Sequence, residues 1–417
     1  MCGIFGLINR NFPKTDFSKN ILAHRGPDHF GSYTNHKDIY LSHNRLSIIG
    51  LAESSNQPMH GRNSSVIIFN GEIYNYQDLK KTELSDYPFQ SNSDTEVILA
   101  LYEKYGVDCV QYLRGMFAFA IWDKKNKRLF CARDRFGIKP FYFIKKEKFF
   151  GFASEMKALL PFLECIATNH ESLSEYLTFQ YTLGTETLFK GIYQLMPGHL
   201  LVWESDNLTT KKYWDISYQI DFDNSASYFE EKLYDLLQDS VRHHQVSDVP
   251  VGSYLSGGID SSLISVLASE SNEDFYGSFH GKFTDYPGYD ESAYAEAIAE
   301  SINKDLYTVN IKPQDFTDNI SNIIYHLDTP VAGPGAFPQY MVSKLASEHV
   351  KVVLGGQGGD ELFGGYARYV VAYFEQSIKA AIDGTYKNGH FVVTPESIIP
   401  NLTLLQEYKP LIKEFWR

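Results

Sequence analysis

A cysteine at position 2 and a glycine-serine loop some 250 residues later carry the most chemistry in this 417-residue chain. A small residue after the initiator Met favours removal of that Met, which leaves Cys2 with a free α-amine beside its own thiol. An α-amine has a reference pKa of about 8, so it can take the thiol proton and make the side chain a nucleophile. A cysteine there is more often inert, so Cys2 gains meaning only from the residues downstream of it. The second feature is SGGIDSS at Ser256–Ser262, set between the apolar run Val249–Leu255 and a helix expected to start near Ser262. Two glycines free successive N–H groups to wrap an anion, the helix start adds partial positive charge, and the serines add donors. No Gly-Lys-Ser/Thr follows, so this is a phosphate loop of another kind than the Walker type. A second glycine cluster, LGGQGGDELFGGY at Leu354–Tyr366, follows an expected strand at Val350–Leu354.

The elements that must position these groups change character along the chain. Up to about residue 205 the pattern is β-rich, with strand-like runs at Ile4–Ile8, Val66–Asn70, Ala118–Trp122, Arg128–Ala132, Pro140–Ile144 and Leu200–Trp203. Val97, Leu101 and Tyr105 recur at helical spacing and predict a helix over Asp94–Tyr105, capped by Ser93 or Asp94. Two layers of sheet flanked by helices account for this mixture. The stretch Glu204–Ser227 is polar and turn-rich, which places a boundary there and makes 206–226 a linker. Beyond it, strands at Asp274–Phe279, Leu306–Val309 and Val350–Leu354 alternate with helices such as Ser227–His243 and Ser292–Ile302. That rhythm predicts a parallel sheet, whose ligands bind at the carboxyl ends of its strands.

Composition narrows the classes. A net charge of -13 argues against nucleic acid as a partner. No apolar run approaches a membrane span, and the short start CGIFGLI is not a signal peptide, so the cytoplasm is the expected setting. Four cysteines in a chain of this length do not make a disulfide framework; Cys109, Cys131 and Cys165 read as buried small hydrophobes. His243-His244 reads as a surface pair, because no matching metal-ligand spacing accompanies it.

Cys2 is followed in order by HRGPD (His24–Asp28), LSHNRLSIIG (Leu41–Gly50), FNGEIYNY (Phe69–Tyr76) and SDTEVIL (Ser93–Leu99). These blocks resemble the glutaminase domain of class II amidotransferases, over essentially residues 1–205. The SGGIDSS loop resembles that of N-type ATP pyrophosphatases, and RDRFGIKPFYF (Arg133–Phe143) and LTFQYTLGTETLFKGIYQLMPGH (Leu177–His199) extend the likeness. With both halves present the chain resembles glutamine-hydrolysing asparagine synthetases. The resemblance implies an α+β N-terminal-nucleophile hydrolase sandwich (αββα) over 1–205, then an α/β parallel-sheet domain of the adenine-nucleotide α-hydrolase type over 227–417.

It also implies roles. Cys2 attacks glutamine; the Asn70 side chain and the Gly71 N–H hold the oxyanion; Arg45 takes the α-carboxylate; Glu72 and Asp94 accept from the α-ammonium; Leu46, Ser47, Ile48 and Ile49 complete the pocket. ATP is expected at Leu255, Ser256, Gly257, Gly258, Asp260, Ser261, Ser262, Gly281, Gly355 and Gly356, with Mg2+ on Asp260 and Asp360. SFHGKF (Ser278–Phe283) would meet the adenine. Arg25 is expected to shape the glutamine pocket, without a step of its own. Ammonia from the first site would displace AMP from an adenylylated aspartate at the second, and homodimerisation is a family expectation.

Two departures qualify the likeness. Gln357 stands where the family's glutamate is usual, which points to an alternative acceptor such as an acidic sugar. The chain stops at EYKPLIKEFWR without the family's Arg-x-Pro-Phe-Leu-Asp-like element, so a C-terminally incomplete synthetase domain is expected. A third reading, from another class, is a glutaminase or regulator with an inactive second domain.

Overall fold

The computed structural model describes residues 1–8, 17–219, 221, 223–285, 288, 290–330, 333 and 335–382. The amino-terminal part consists of two six-stranded antiparallel sheets. In chain order their strands are β1 (Gly3–Ile8), β2 (His29–Thr34), β3 (Ile39–Arg45), β4 (Met59–His60), β5 (Ser65–Ile73), β6 (Gly115–Asp123), β7 (Arg128–Arg133), β8 (Tyr142–Lys146), β9 (Phe149–Ala153), β10 (Tyr193–Gln194), β11 (His199–Glu204) and β12 (Asn207–Lys212). One sheet has the order β10-β8-β9-β1-β3-β2 and the other β12-β11-β7-β6-β5-β4.

The period of two along each strand explains the layering. On β5, Val66 and Ile68 face the opposite sheet, whereas Ile67 and Phe69 pack under α2 (Tyr76–Thr82) and α3 (Asp94–Tyr105). On β1, Ile4 and Ile8 lie between the sheets, whereas Phe5 and Leu7 face outward, against the short helical turns Met156–Ala158 and Leu160–Phe162. The short α1 (Phe17–Ile21) lies on that same side. Both faces of the central strands are therefore covered, which is the αββα sandwich expected. It is also why GIFGLI is apolar throughout and buried at every position. The helix over Asp94–Tyr105 forms as expected, and Ser93 is its cap, its side chain accepting from the Thr95 N–H.

Helix α4 (His170–Phe179) and the long α5 (Ala226–His244) lead into the second part, a four-stranded parallel sheet of β13 (Val251–Tyr254), β14 (Ser278–Lys282), β15 (Leu306–Asn310) and β16 (Val352–Leu354). Its order is β15-β14-β13-β16. The chain steps outward from β13 through α6 (Ile259–Ser271), β14 and α7 (Ser292–Ser301) to β15. It returns through α8 (Pro313–Leu327) and α9 (Ala336–Ser347) to β16 on the other flank of β13. The direction of winding thus reverses between β13 and β16, the place where open α/β sheets bind ligands. Helices α10 (Gly359–Phe363) and α11 (Ala367–Ile382) follow.

Several expectations need correction. The stretch 206–226 is not all linker: β12 closes a hairpin on β11, and its polar, mostly exposed residues are those of an edge strand. The strand expected at Asp274–Phe279 runs from Ser278 to Lys282, because Phe275 closes a turn on Asn272 and Gly277 takes φ 137°. Helix α6 starts at Ile259, with Gly258 as its extended cap. Cys109 and Cys131 are buried as expected, but Cys165 is exposed. His243 and His244 are half-buried at the junction of the two parts: the ring of His244 lies 4.4 Å from that of Tyr74, and Arg114 of the first part pairs with Asp239 at 2.6 Å. The terminal run EYKPLIKEFWR lies outside the described residues.

Candidate active site

Cys2 immediately precedes β1, the strand flanked by β9 and β3 within its sheet. Its Sγ receives the Leu46 N–H at 3.3 Å, and its carbonyl receives Arg25 Nε at 2.9 Å. Burial raises the thiol's pKa, while the nearby terminal amine and the Leu46 N–H pull it back. The terminal ammonium, carried here by Met1, is driven down to about 5, chiefly by burial and with help from Lys139 and Arg25.

One pocket gathers Cys2 with Arg45, Leu46, Ile48, Ile49, Gly71, Glu72 and Asp94, and adds Ser55, Gln57, Phe69, Ser93 and Thr95. Gly71 has φ 157°, and a Cβ there would meet Met116 O at 2.1 Å, so no side chain fits. Asn70 is fully buried, and neither its Nδ2 nor its Oδ1 has a partner among the described residues. By the alternation along β5 it points, with Val66 and Ile68, into the space between the sheets, the side on which β1 lies. A buried amide without a partner is costly, and a polar ligand is the group that would relieve it.

Asp94 occupies the first turn of α3. Since Ser93 does the capping, its carboxylate is free to accept the Ile73 N–H at 2.9 Å. Burial pushes Asp94 up to about 6, and burial together with the charge of Asp94 raises Glu72 well above the usual carboxylate range. Two such acids side by side make an environment that favours a cation.

Arg45 is almost fully buried. Its terminal nitrogens donate to Ala52 O and Asn56 Oδ1, and to Ile49 O and Gly50 O. The guanidinium therefore folds the loop Leu46–Asn56 around itself, and Ser47 N–H is fixed by Asp28 at 2.8 Å. Lys139 was not singled out in the sequence. It is 5% exposed, its pKa lowered by burial and supported by Glu72, with Cys2 and Arg25 also within its electrostatic reach. A lysine inside the apolar run GIKPFYF was the available signal. Glu155 and Lys157, both buried, were missed in the same way.

At the second centre, Leu255 is fully buried and Gly257 takes φ 97°. Ser261 Oγ receives the Ser256 N–H at 3.1 Å and donates to Gly258 O, which ties the phosphate loop to the first turn of α6. The second glycine loop lies against it: a Cβ on Gly356 would meet Ser261 N at 2.8 Å, and one on Gly359 would meet the Asp260 carboxylate at 2.5 Å. Asp260 thus faces the second glycine loop, in which the Asp360 carboxylate lies against Gly365 and Gly355 lies against Gln357. Leu255, Ser256 and Gly281 line a cavity of about 200 Å3 together with Phe279, His280, Phe283, Gly335 and Gln339. Ser262 lies in α6, its N–H bonded to Gly258 O. No cluster of three metal-ligating side chains occurs among the described residues. The Asp260 carboxylate in the phosphate loop suits a magnesium ion that arrives on a nucleotide, since that ion commonly takes one or two carboxylates plus phosphates.

Residues 1–214 match the family model for the glutamine amidotransferase domain, and residues 232–416 match the model for asparagine synthase. The chain is 37% identical over 380 residues to asparagine synthetase [glutamine-hydrolyzing] 1 of Bacillus subtilis, covering 88% of this chain and 59% of that protein. It is 35% identical over 406 residues to putative asparagine synthetase [glutamine-hydrolyzing] 2 of Methanocaldococcus jannaschii, covering 89% and 77%. It is also 31% identical to amidase chry2 of Gibberella zeae, covering 84% and 54%. The chain therefore spans little more than half the length of two of these three relatives. Two domain matches in tandem, in the order in which the two centres occur in the fold, make this chain a member of the glutamine-hydrolysing asparagine synthetase family.

Proposed function

We propose that the chain releases ammonia from glutamine at Cys2 and that its second domain uses ATP to activate a carboxylate, aspartate in the first instance, for amidation by that ammonia. In this reading residues 1–205 form the glutaminase part and 227–417 the synthetase part. The observation that carries it is the buried Asn70 amide beside Gly71, without a partner among the described residues, on the strand whose neighbouring residues share a pocket with Cys2.

Once Met1 is removed, the Cys2 amine takes the thiol proton and Sγ attacks the carboxamide carbon. Asn70 Nδ2 and the Gly71 N–H receive the oxyanion. The amine returns its proton to the leaving nitrogen, ammonia departs, and water cleaves the thioester to glutamate. Glu72 and Asp94 hold the α-ammonium. Arg45 faces the α-carboxylate, exchanging loop carbonyls for it. At the second centre the backbone of Ser256–Gly258 and the start of α6 cradle the phosphates, and Gly281 with its neighbours receives the adenine. Asp260 and Asp360 would hold a magnesium ion, whose charge offsets that of the phosphates. The acceptor carboxylate attacks the α-phosphorus, pyrophosphate leaves, and ammonia then displaces AMP. A cytoplasmic setting belongs to this proposal, supported by the free, buried thiols of Cys109 and Cys131.

The test is glutamate, pyrophosphate and amide formation with glutamine, ATP, magnesium and aspartate, beside a Cys2→Ala variant supplied with ammonia. Asparagine from the wild type, and from the variant only with ammonia, supports the two-site reading. Glutamate formation equal in both proteins would remove Cys2 from it.

A second reading has its own observation. Gln357 Nε2 donates to Gln339 Oε1 at 3.0 Å, an amide pair at the wall of the cavity that Glu291 also lines. A relative named as an amidase accompanies it. An acceptor other than aspartate, such as an acidic sugar, fits that chemistry. Pyrophosphate release that aspartate does not stimulate, but another acid does, would select it.

A further inference from the structure

A row of buried charges runs from the end of α8, in the second domain, to the backbone of Cys2. Asp328 Oδ1 lies 2.9 Å from Lys157 Nζ, and its other oxygen accepts the Met156 N–H. Lys157 Nζ also pairs with Glu155 Oε2. Glu155 Oε1 receives Arg25 Nη1 at 2.9 Å and meets His24 Nε2 at 2.8 Å. Arg25 Nε donates to the Cys2 carbonyl at 2.9 Å. The side chains of Arg25, Glu155, Lys157 and Asp328 are at most 8% exposed. Two further residues of the same helix end join in: the His326 ring lies 4.4 Å from the His24 ring, and the Tyr325 ring lies 4.9 Å from Lys157 Nζ.

We infer that Asp328, Lys157, Glu155 and Arg25 act as a positioning relay through which the second domain sets the placement of the Cys2 nucleophile. The inference rests on the reading of Cys2 proposed above. Three physical points carry it. Signs alternate along the row, and removing Lys157 or Glu155 leaves Asp328 or Arg25 without its ion partner in it, so the buried groups are coupled. Glu155 is held at about 2: burial opposes this, but the His24 hydrogen bond and the Arg25 charge outweigh it, whereas burial raises Asp328 against the pull of Lys157. Cys2 lies ahead of β1, outside the strand pairing that fixes Gly3 and Ile4, so the Arg25 bond to its carbonyl adds a restraint the sheet does not supply.

The far end of the row is equally well placed. Asp328 sits at the carboxyl cap of α8 in the left-handed conformation, φ 62°. The next helix in the chain, α9, carries Pro338 and Gln339 on the wall of the cavity beside Leu255. Sub-ångström displacement of a nucleophile is costly to rate, so the relay gives the second domain leverage on glutamine hydrolysis.

The experiment uses the full chain and measures glutamate release for wild type, Asp328→Asn, Lys157→Met and Asp328→Glu, with and without ATP and magnesium. Rates are expressed per Cys2 alkylated by iodoacetamide, read by mass spectrometry of the amino-terminal peptide so that the exposed Cys165 is not counted, and circular dichroism checks that each variant is folded. Asp328→Asn and Lys157→Met are expected to lower kcat by about tenfold to a hundredfold, with KM for glutamine changed by less than about twofold. Asp328→Glu recovers part of the loss, and the double variant loses no more than the worse single one. Wild-type kcat per alkylated Cys2 in both neutral variants overturns the relay. A wild type whose glutamate release equals that of Cys2→Ala overturns the reading of Cys2 instead.

Discussion

Asp248 is bonded twice to the loop that walls the glutamine pocket: its carboxylate accepts the Gly50 N–H at 2.7 Å, and its own N–H donates to Ile48 O at 3.0 Å. The loop is thus gripped from both sides, by Arg45 within and by Asp248 from the start of the second domain. Asp248 leads directly into β13, whose other end is the phosphate loop. A parallel tie exists where Asp28, which fixes the Ser47 N–H, also pairs with Lys351 at 2.7 Å, just before β16.

Removing that grip should loosen substrate binding more than chemistry. Asp248→Ala is expected to raise KM for glutamine by about three- to tenfold with little change in kcat, the scale of a lost hydrogen bond. Steady-state glutamate release over a range of glutamine concentrations decides it. An unchanged KM would mean that Arg45 alone shapes the loop.

Asn70 tests the oxyanion assignment. Replacing a single donor of this kind commonly costs about a hundredfold to a thousandfold in kcat, so Asn70→Ala should do so with KM nearly constant. Because the wild-type amide is buried without a partner among the described residues, the variant should also be no less stable than wild type in a thermal melt. A large loss of stability together with normal kcat would make Asn70 a packing residue.

The paired acids predict a pH dependence. Asp94 is raised from 3.8 to about 6, and Glu72 is also raised. Both hold protons more tightly in the folded protein than in the unfolded chain. Their contribution to stability is therefore full below the ordinary carboxylate pKa, and that of Asp94 is lost as pH rises through about 6. A bound α-ammonium favours the ionised forms, so glutamine binding expels protons. KM for glutamine should accordingly fall between about pH 5 and about pH 7, and Asp94→Asn should flatten the lower part of that profile. A KM that is level across this range in the wild type speaks against ammonium recognition by these acids.

Asp260 links the second centre to its metal. ATP with magnesium should raise the thermal midpoint of the wild-type chain, because ligand that binds only the folded state stabilises it. Asp260→Asn should abolish most of that rise, while ATP without magnesium should distinguish the two proteins little. Equal rises with magnesium would place the ion elsewhere.

Much of the chemistry is legible in the order of residues by itself. Cys2, the glycine of Asn70-Gly71, the loop SGGIDSS and the helix over Asp94–Tyr105 are local facts: a chain end, backbone freedom, a donor-rich turn and a 3.6-residue period. Alternating apolar runs likewise show sheets in the first part and a parallel sheet in the second. β3 escapes this reading because Ser42, His43, Asn44 and Arg45 are polar yet buried. Arg45 lies at the site, and the others bond to buried polar groups, as Ser42 does with Ser18 and His43 with the Phe69 carbonyl.

What tertiary structure alone decided are the relations between distant residues. Sequence could name Arg45 but not show its donors folded into the loop Leu46–Asn56. Nor could it show Asn70 without a partner among the described residues, since satisfaction of a buried amide depends on every strand around it. Cys165 lies exposed in the bend after Leu160–Phe162, and the polar run Asn207–Lys212 is an edge strand. Both depend on which face the neighbouring elements leave open. The row from Asp328 to Cys2 joins residues more than three hundred positions apart in the chain. Hydrophobic period and turn chemistry act over a few residues and are written locally, whereas buried charges find partners only when the two domains pack.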